Sequence, residues 1–363
     1  MSIEKGVPSK KGDAPVGYSL FVTGLTHKDE KRAFPGCTLF TPMSGDSTHL
    51  INLDGEVVHR WRAPEGLKAY YATGLNNGNL LAQCIDGTEA GGQAGGRAAA
   101  VIELDWDGKV VWDYRNPHLH HDHHRRSNGN TILIAAEMLD SKTSAIFAGG
   151  DPGTPQGEIL SESFIEVTPD GRTAWQWHAH EHLDPQIEWF RAGGGDQWLH
   201  CNAVEELPDG RIMASFNTLS EVVIIDRQSG DVVWRLKPGI TMSQHNPTML
   251  TNGNILLFDN GNRRNFSRVL EISPADQEIV WEFTGNPRDS FYSMNISGAQ
   301  RLPNGNTLIT EGRSARFFEV TPDKDIVWEY VSPFQVLHLG QLGRAVFRAH
   351  RYAEDSPFIR NRV

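Results

Sequence analysis

His245 stands eight residues before the glycine of an Asn-Gly turn (Gly253), and His121 stands eight before Gly129. The same count at the other turns of this kind gives Tyr70, Asn202 and Ser297, with His200 two residues before Asn202. These residue types suit group transfer. A neutral imidazole is a nucleophile near pH 7 and splits one hard step into two easier ones. Donors such as His121, His200, Asn202 and an arginine would stabilise charge growing on a sulfuryl or phosphoryl group. A second imidazole can return a proton to a phenolate leaving group. The same three histidines, His121, His200 and His245, would alternatively hold a divalent ion (zinc, manganese, iron or copper) with one position open. That ion would polarise a substrate oxygen or acidify a water, making a lyase or hydrolase. Either chemistry requires distant stretches of chain to meet.

Repetition supplies the means. One hairpin recurs as VIELDWDGKVVWDY (101–114), FIEVTPDGRTAWQW (164–177), VVIIDRQSGDVVWRL (222–236), VLEISPADQEIVWEF (269–283) and FFEVTPDKDIVWEY (317–330), and more weakly as HLINLDGEVVHRW (49–61), where His59 fills the tryptophan slot. A second hairpin lies between copies, as in HNPTMLTNGNILLF (245–258). Asn-Gly and Asp-Gly between apolar runs are strong hairpin signals, because the turn positions favour positive φ. Two hairpins per unit make four strands, and the copies recur every 47 to 63 residues. That is the size of a propeller blade. The reading is an all-β, six-bladed β-propeller. The sixth inner hairpin would pair AVFRAHRY (345–352) with GCTLFTPM (36–43), joining the two ends of the chain and leaving no open edge. Residues 1–17 form an N-terminal arm and 18–363 a single propeller domain. The stretches 136–162 and 178–199 lengthen loops over one mouth.

The innermost strand of each blade lines the channel, so Tyr70, His121, Asn202, His245 and Ser297 should ring one end of it. Strict alternation adds His200 beside Asn202 and His123 beside His121. The run His118, His120, His121, His123 and His124 would be divided between two faces. Cys201, between two channel-facing residues, should point into its blade. Tyr292 and Phe291 would wall an aromatic substrate or pack in the core, and His178, His180 and His182 reach toward the mouth or lie in a solvated loop. Gly193, Gly194 and Gly195 lack the setting of a phosphate loop and read as a connection. A propeller serving only as a binding platform is a third reading.

Composition narrows the partners. Hydrophobic residues are 39% of the chain and the net charge is −11. No basic run or RNA-reading aromatic motif is present, so nucleic acid is not an expected partner. No apolar stretch approaches the roughly 18–20 residues of a membrane span. The polar start MSIEKGVPSKKGDAP and three widely spaced cysteines (Cys37, Cys84, Cys201) lead us to expect a cytoplasmic protein.

Three motifs then carry a resemblance. His120-His121-Asp122 before an NGN turn, W-L-H-C-N at 198–202 and Q-H-N…FDNGNRR at 244–264 resemble the bacterial arylsulfotransferase family. The resemblance implies a six-bladed propeller that moves a sulfuryl group from a phenolic sulfate to another phenol, with no cofactor or nucleotide sulfate donor. It implies that a channel histidine is transiently sulfated. By motif His245 matches that nucleophile, His121 a second channel histidine, and His200 with Asn202 the H-x-N pair. Asn260 and Arg263 or Arg264 fall in the D-N-G-R segment. The expected contacts to a small aromatic substrate are Asn260, Arg263, Arg264, Tyr70, Tyr292 and Arg313. One departure stands out. Where the family carries a sulfate-gripping arginine, the return strand reads MASFNTLS, with Asn217 or Thr218 in that slot. Arg263, Arg264, Arg313 or Arg348 would have to replace it.

Overall fold

The computed structural model describes residues 22–86, 96–147, 159–184, 187–188, 198–338 and 341–363. The expected arm at 1–17, Gly193–Gly195 and much of the long insertions lie outside these residues. Six four-stranded antiparallel units form the propeller. From the axis outward, blade 1 is Val346–Tyr352, Cys37–Pro42, Ser47–Ile51 and Val57–Arg62. Blade 2 is Lys68–Gly74, Leu80–Ile85, Ala100–Leu104 and Val110–Arg115. Blade 3 is Leu119–Arg125, Thr131–Met138, Leu160–Val167 and Thr173–His178. Blade 4 is Cys201–Glu206, Ile212–Phe216, Glu221–Ile225 and Val232–Arg235. Blade 5 is His245–Met249, Ile255–Asp259, Arg268–Ile272 and Ile279–Phe283. Blade 6 is Gly298–Arg301, Thr307–Glu311, Arg316–Val320 and Ile326–Val331.

Closure occurs as the sequence implied. Cys37 pairs with Tyr352 and Phe40 with Ala349, so the last strand is the inner strand of blade 1. An additional strand, Gly24–Lys28, pairs with Ile326–Val331 and covers the outer edge of blade 6. Among the described residues no helix is long and apolar enough to cross a membrane.

The repeat signatures have physical reasons. Tryptophan-slot side chains in the outermost strands reach the next blade. Trp175 Nε1 donates to Arg227 O, Trp234 to Pro274 O, Trp281 to Pro322 O and Trp328 to Leu53 O. His59 makes the equivalent contact with Trp106 O, at 2.8 Å, which explains its tolerance in that slot. The Asn-Gly-Asn turns serve a buried carboxylate. Asn252 and Asn254 donate to Glu271, Asn306 to Glu319, and Asn77 and Asn79 to Glu103. Each of these carboxylates also takes an arginine from the next blade's inner strand: Arg301, Arg351 and Arg125. A buried charge persists only when paired and hydrogen-bonded, so the ladder fixes both the turn and the blade-to-blade register.

Strict alternation fails where the inner strands begin. Five of the six have a register irregularity there. His121, His200, Asn246 and Ser297 lie at φ 54°, 50°, 51° and 87°. Positive φ at non-glycine residues is strained and collects at functional sites, and a bulge re-aims the side chains around it.

Candidate functional site

His245 opens the inner strand of blade 5 and is buried. Its Nδ1 lies 2.8 Å from Asn260 Oδ1. The Asn260 amide is itself oriented, since its Nδ2 donates to Ser293 O at 2.8 Å and to Ile296 O at 2.9 Å. Asn260 therefore presents an acceptor to the ring, and His245 must carry its proton on Nδ1. Its Nε2 keeps a lone pair, which accepts from the Ile296 N–H at 3.2 Å. Burial is the main cause that lowers its pKa to about 3, so the ring is neutral. Ile296, a β-branched residue at φ 52°, precedes Ser297 at φ 87°, so the N–H covering Nε2 comes from a strained backbone.

A second group of imidazoles lies at the adjoining blades. The His121 and His200 rings meet edge to face with centroids 4.6 Å apart. His121 Nδ1 is 2.8 Å from His120 Nδ1, and His120 Nε2 is 2.7 Å from Glu162 Oε2, with both residues buried. Glu162 Oε1 accepts the Cys201 N–H at 3.0 Å, which anchors the backbone just after His200. Burial holds His200 at about 4 and keeps the His121 pKa well below the usual histidine range, helped by the nearby His200 and His120. Phe347, from the closing strand, is the wall common to both groups. Its ring centroid is 6.0 Å from that of His121, 6.3 Å from that of His245 and 5.3 Å from that of Tyr70.

Arg348 follows Phe347 and lies on the axis. Its Nη1 donates to Asp122 Oδ2 at 2.8 Å and its Nη2 to Asn202 O at 2.7 Å, and its guanidinium stacks over Phe347 and Tyr71. Of the four arginines considered as replacements for the missing one, it is the one buried at the centre. Asn202 differs from expectation in its polarity. Its Nδ2 is committed to Gln244 O at 2.9 Å, and its Oδ1 is buried with no partner among the described residues. It offers an acceptor to the channel, not a donor.

Several expected contacts lie elsewhere. Asn260 orients His245 and does not open onto free space. Arg264 is bound to the fully buried Asp259 at 2.6 Å, together with Arg268. Arg313 is exposed, and Tyr292 is half-buried with its N–H on Glu311. Arg263 is exposed beside a cavity of about 250 Å³, lined also by Thr218, Ser220, Thr241, Met242 and Ser243. Phe291 is core, packed against Phe258, Phe283 and Phe318. His123 does not join His121; it contacts Thr73 and Tyr71, because the bulge breaks the alternation that would have placed it there. The same bulge brings the consecutive His120 and His121 into contact. Cys201 points into the blade core, as expected. His178 hydrogen-bonds Glu137 at 2.8 Å, His180 lies 3.8 Å from the same carboxylate, and His182 stacks on Trp177. Among the described residues no three His, Cys, Asp or Glu side chains are grouped so that they could hold a metal ion.

Sequence reasoning missed Glu162, Ile296 and Phe347, and it named His120 in a motif without its contacts to His121 and Glu162. Glu162 was read as the end of the inserted loop 136–162, but Thr131–Met138 and Leu160–Val167 extend as paired strands into that stretch and put Glu162 opposite Ala136; the others take their roles from bulges or strained turns.

A solved structure shares the architecture. A Bacteroides caccae protein of unknown function is 12% identical, with 87% of this chain and 98% of that one covered at a TM-score of 0.57. A streptogramin B lyase is 13% identical over 91% of this chain and 93% of its own, with a TM-score of 0.49. At such identities the likeness concerns the fold alone. No curated protein matches the chain. The family described as Arylsulfotransferase (ASST) matches residues 46–332, most of the propeller and every histidine of the site, and the chain belongs to that family.

Proposed function

We propose that this protein transfers a sulfuryl group between phenolic compounds through His245 Nε2. The observation that carries the reading is the wiring of that ring: Asn260 holds the proton on Nδ1 and so directs the lone pair to Nε2. In the first step Nε2 attacks sulfur and the S–O bond to the donor breaks, its electron pair leaving with the phenolate. The sulfated ring is an imidazolium that retains Nδ1–H. A neutral amide stabilises this cation less than a carboxylate would, so the N–S bond stays reactive. In the second step a phenol attacks sulfur and the N–S electron pair returns to Nε2. Ile296 N–H must release Nε2 before the first step, and its 3.2 Å hydrogen bond is a long one.

His121 and His200 flank the reacting group in a channel shielded from water, where oriented dipoles act most strongly. Arg348 supplies positive charge that Asp122 holds in place. The unpartnered Asn202 Oδ1 suits a substrate hydroxyl better than a sulfuryl oxygen. Purified protein given a chromogenic aryl sulfate and an acceptor phenol should turn over. His245→Ala should abolish turnover, and mass spectrometry should find a sulfuryl group on the His245 peptide of the wild type. Undiminished turnover by His245→Ala would reject the mechanism.

A further inference from the structure

We infer that Glu162, His120 and His121 form a buried proton relay that deprotonates the acceptor phenol, with His121 as the base and the other two as positioning residues. The inference rests on the sulfuryl-transfer reading for its substrate, but its wiring is independent of that reading.

Geometry assigns the protons. Glu162 Oε2 and His120 Nε2 are 2.7 Å apart in a charge contact that lies off the line of an aligned hydrogen bond, and neither atom has a hydrogen-bond partner among the described residues. Two bare lone pairs would repel at that distance, so with a carboxylate opposite the His120 ring carries its proton on Nε2. His120 Nδ1 is then an acceptor. It faces His121 Nδ1 at 2.8 Å, so His121 must donate from Nδ1. The lone pair of His121 is left on Nε2, the ring atom not engaged by His120. Gly96 covers the far half of this ring, where a Cβ would come within 2.5 Å of Nε2. Glu162 also accepts the Cys201 N–H, so one carboxylate orders both His121 and the backbone of His200.

In the second step the acceptor's O–H bond breaks and an Nε2–H bond forms on His121, while the phenol oxygen bonds to sulfur and the N–S pair returns to His245. His121 becomes an imidazolium. Its Nδ1 proton can move onto His120 Nδ1 as the His120 Nε2 proton moves toward Glu162, so the charge is spread and met by the carboxylate. Reversing these shifts and passing the Nε2 proton through solvent to the phenolate released in the first step balances the reaction, and one turnover then leaves the relay unchanged. A buried imidazolium without such a partner would be costly. With it, an imidazole can act as a base in a water-poor channel.

The test has two arms. Nitrogen-15 spectra of histidine-labelled wild-type protein should show His121 protonated on Nδ1 and His120 on Nε2. A His121 proton on Nε2 would overturn the relay. In single-turnover kinetics with 4-nitrophenyl sulfate, Glu162→Gln should keep the burst of nitrophenolate yet slow transfer to a weakly acidic phenol by about 10²-fold. It should slow transfer less to an acidic phenol that needs no base. Equal loss in both steps, or no loss in either, contradicts the relay. If wild type gives no burst, the sulfuryl reading falls, while the tautomer spectrum still decides the wiring. That spectrum also suffices if the variant does not fold.

Discussion

Arg348 and Asp122 are 226 residues apart in the chain, yet their side chains meet at 2.8 Å on the propeller axis. The pair ties the closing strand of blade 1 to the histidine strand of blade 3, and both residues are buried. Removing one partner of a buried ion pair strands the other. Arg348→Met should therefore lower stability by about 3–5 kcal/mol. Asp122→Asn with Arg348→Met should recover part of that loss. Denaturant titration of the single and double variants measures the coupling, and independent effects would exclude the pair as a fastening of the ring.

Asn260 sets the tautomer of His245 without lying in the path of the substrate. Asn260→Ala should lower kcat by about 10²-fold, less than the roughly 10⁴-fold loss of a charged orienting group, and leave KM almost unchanged. Steady-state kinetics separate the two constants. A KM effect alone would make Asn260 a substrate contact. Asn260→Asp should instead reduce stability, since a carboxylate oxygen would face the carbonyls of Ser293 and Ile296 that now receive Nδ2.

Gly96 is at φ 73° and packs on His121. Gly96→Ala places a methyl carbon where the ring now lies and strains the backbone as well. Activity should drop at least tenfold while the thermal midpoint moves by only a few degrees, because the rest of blade 3 is untouched. Paired activity and melting measurements check this. A full loss of folding would mean that the segment is structural first.

Acid should unfold the protein early. Burial lowers His245 and His123 to about 3, and His200 and His350 to about 4, from an ordinary value of 6.5. The unfolded chain binds these protons first, so each group's stabilisation is present above pH 6.5 and is lost as pH falls toward the folded value. Each costs up to about 1.4 kcal/mol per pH unit in that window. Denaturant midpoints at pH 7, 6 and 5 should fall steeply, and His350→Gln should flatten the slope by one proton.

Transfer through a sulfated imidazole needs no metal, so turnover should survive exhaustive chelation. Loss on chelation with recovery on adding zinc, manganese, iron or copper would instead assign His121, His200 and His245 to an ion. Elemental analysis of the active protein is the matching measurement.

The architecture was legible because a propeller writes its symmetry into the chain. Each Val-Val-Trp strand must reach a neighbouring turn, and each Asn-Gly-Asn turn must satisfy a buried glutamate, so the same residues return at blade spacing. The pairing of 345–352 with 36–43 followed from the one blade that lacked a hairpin. His121, Asn202 and His245 were identifiable by register alone.

Their partners were not identifiable. Periodicity assumes an unbroken two-residue alternation, and the inner strands break it where the site lies. Positive φ at His121, His200, Asn246 and Ser297 leaves no glycine for a reader of the sequence to notice. It turns His120 toward His121 and His123 away. Glu162 and Phe347 come from outside the repeated motif of the channel, and Arg264 is taken by Asp259 through a contact that composition cannot reveal. The sequence determined the number of blades, the closure of the ring and which histidines approach the axis, because repetition follows from local hydrogen bonding. Tertiary structure alone decided which nitrogen of each imidazole keeps its lone pair, because that depends on the single acceptor or donor placed within about 3 Å of it.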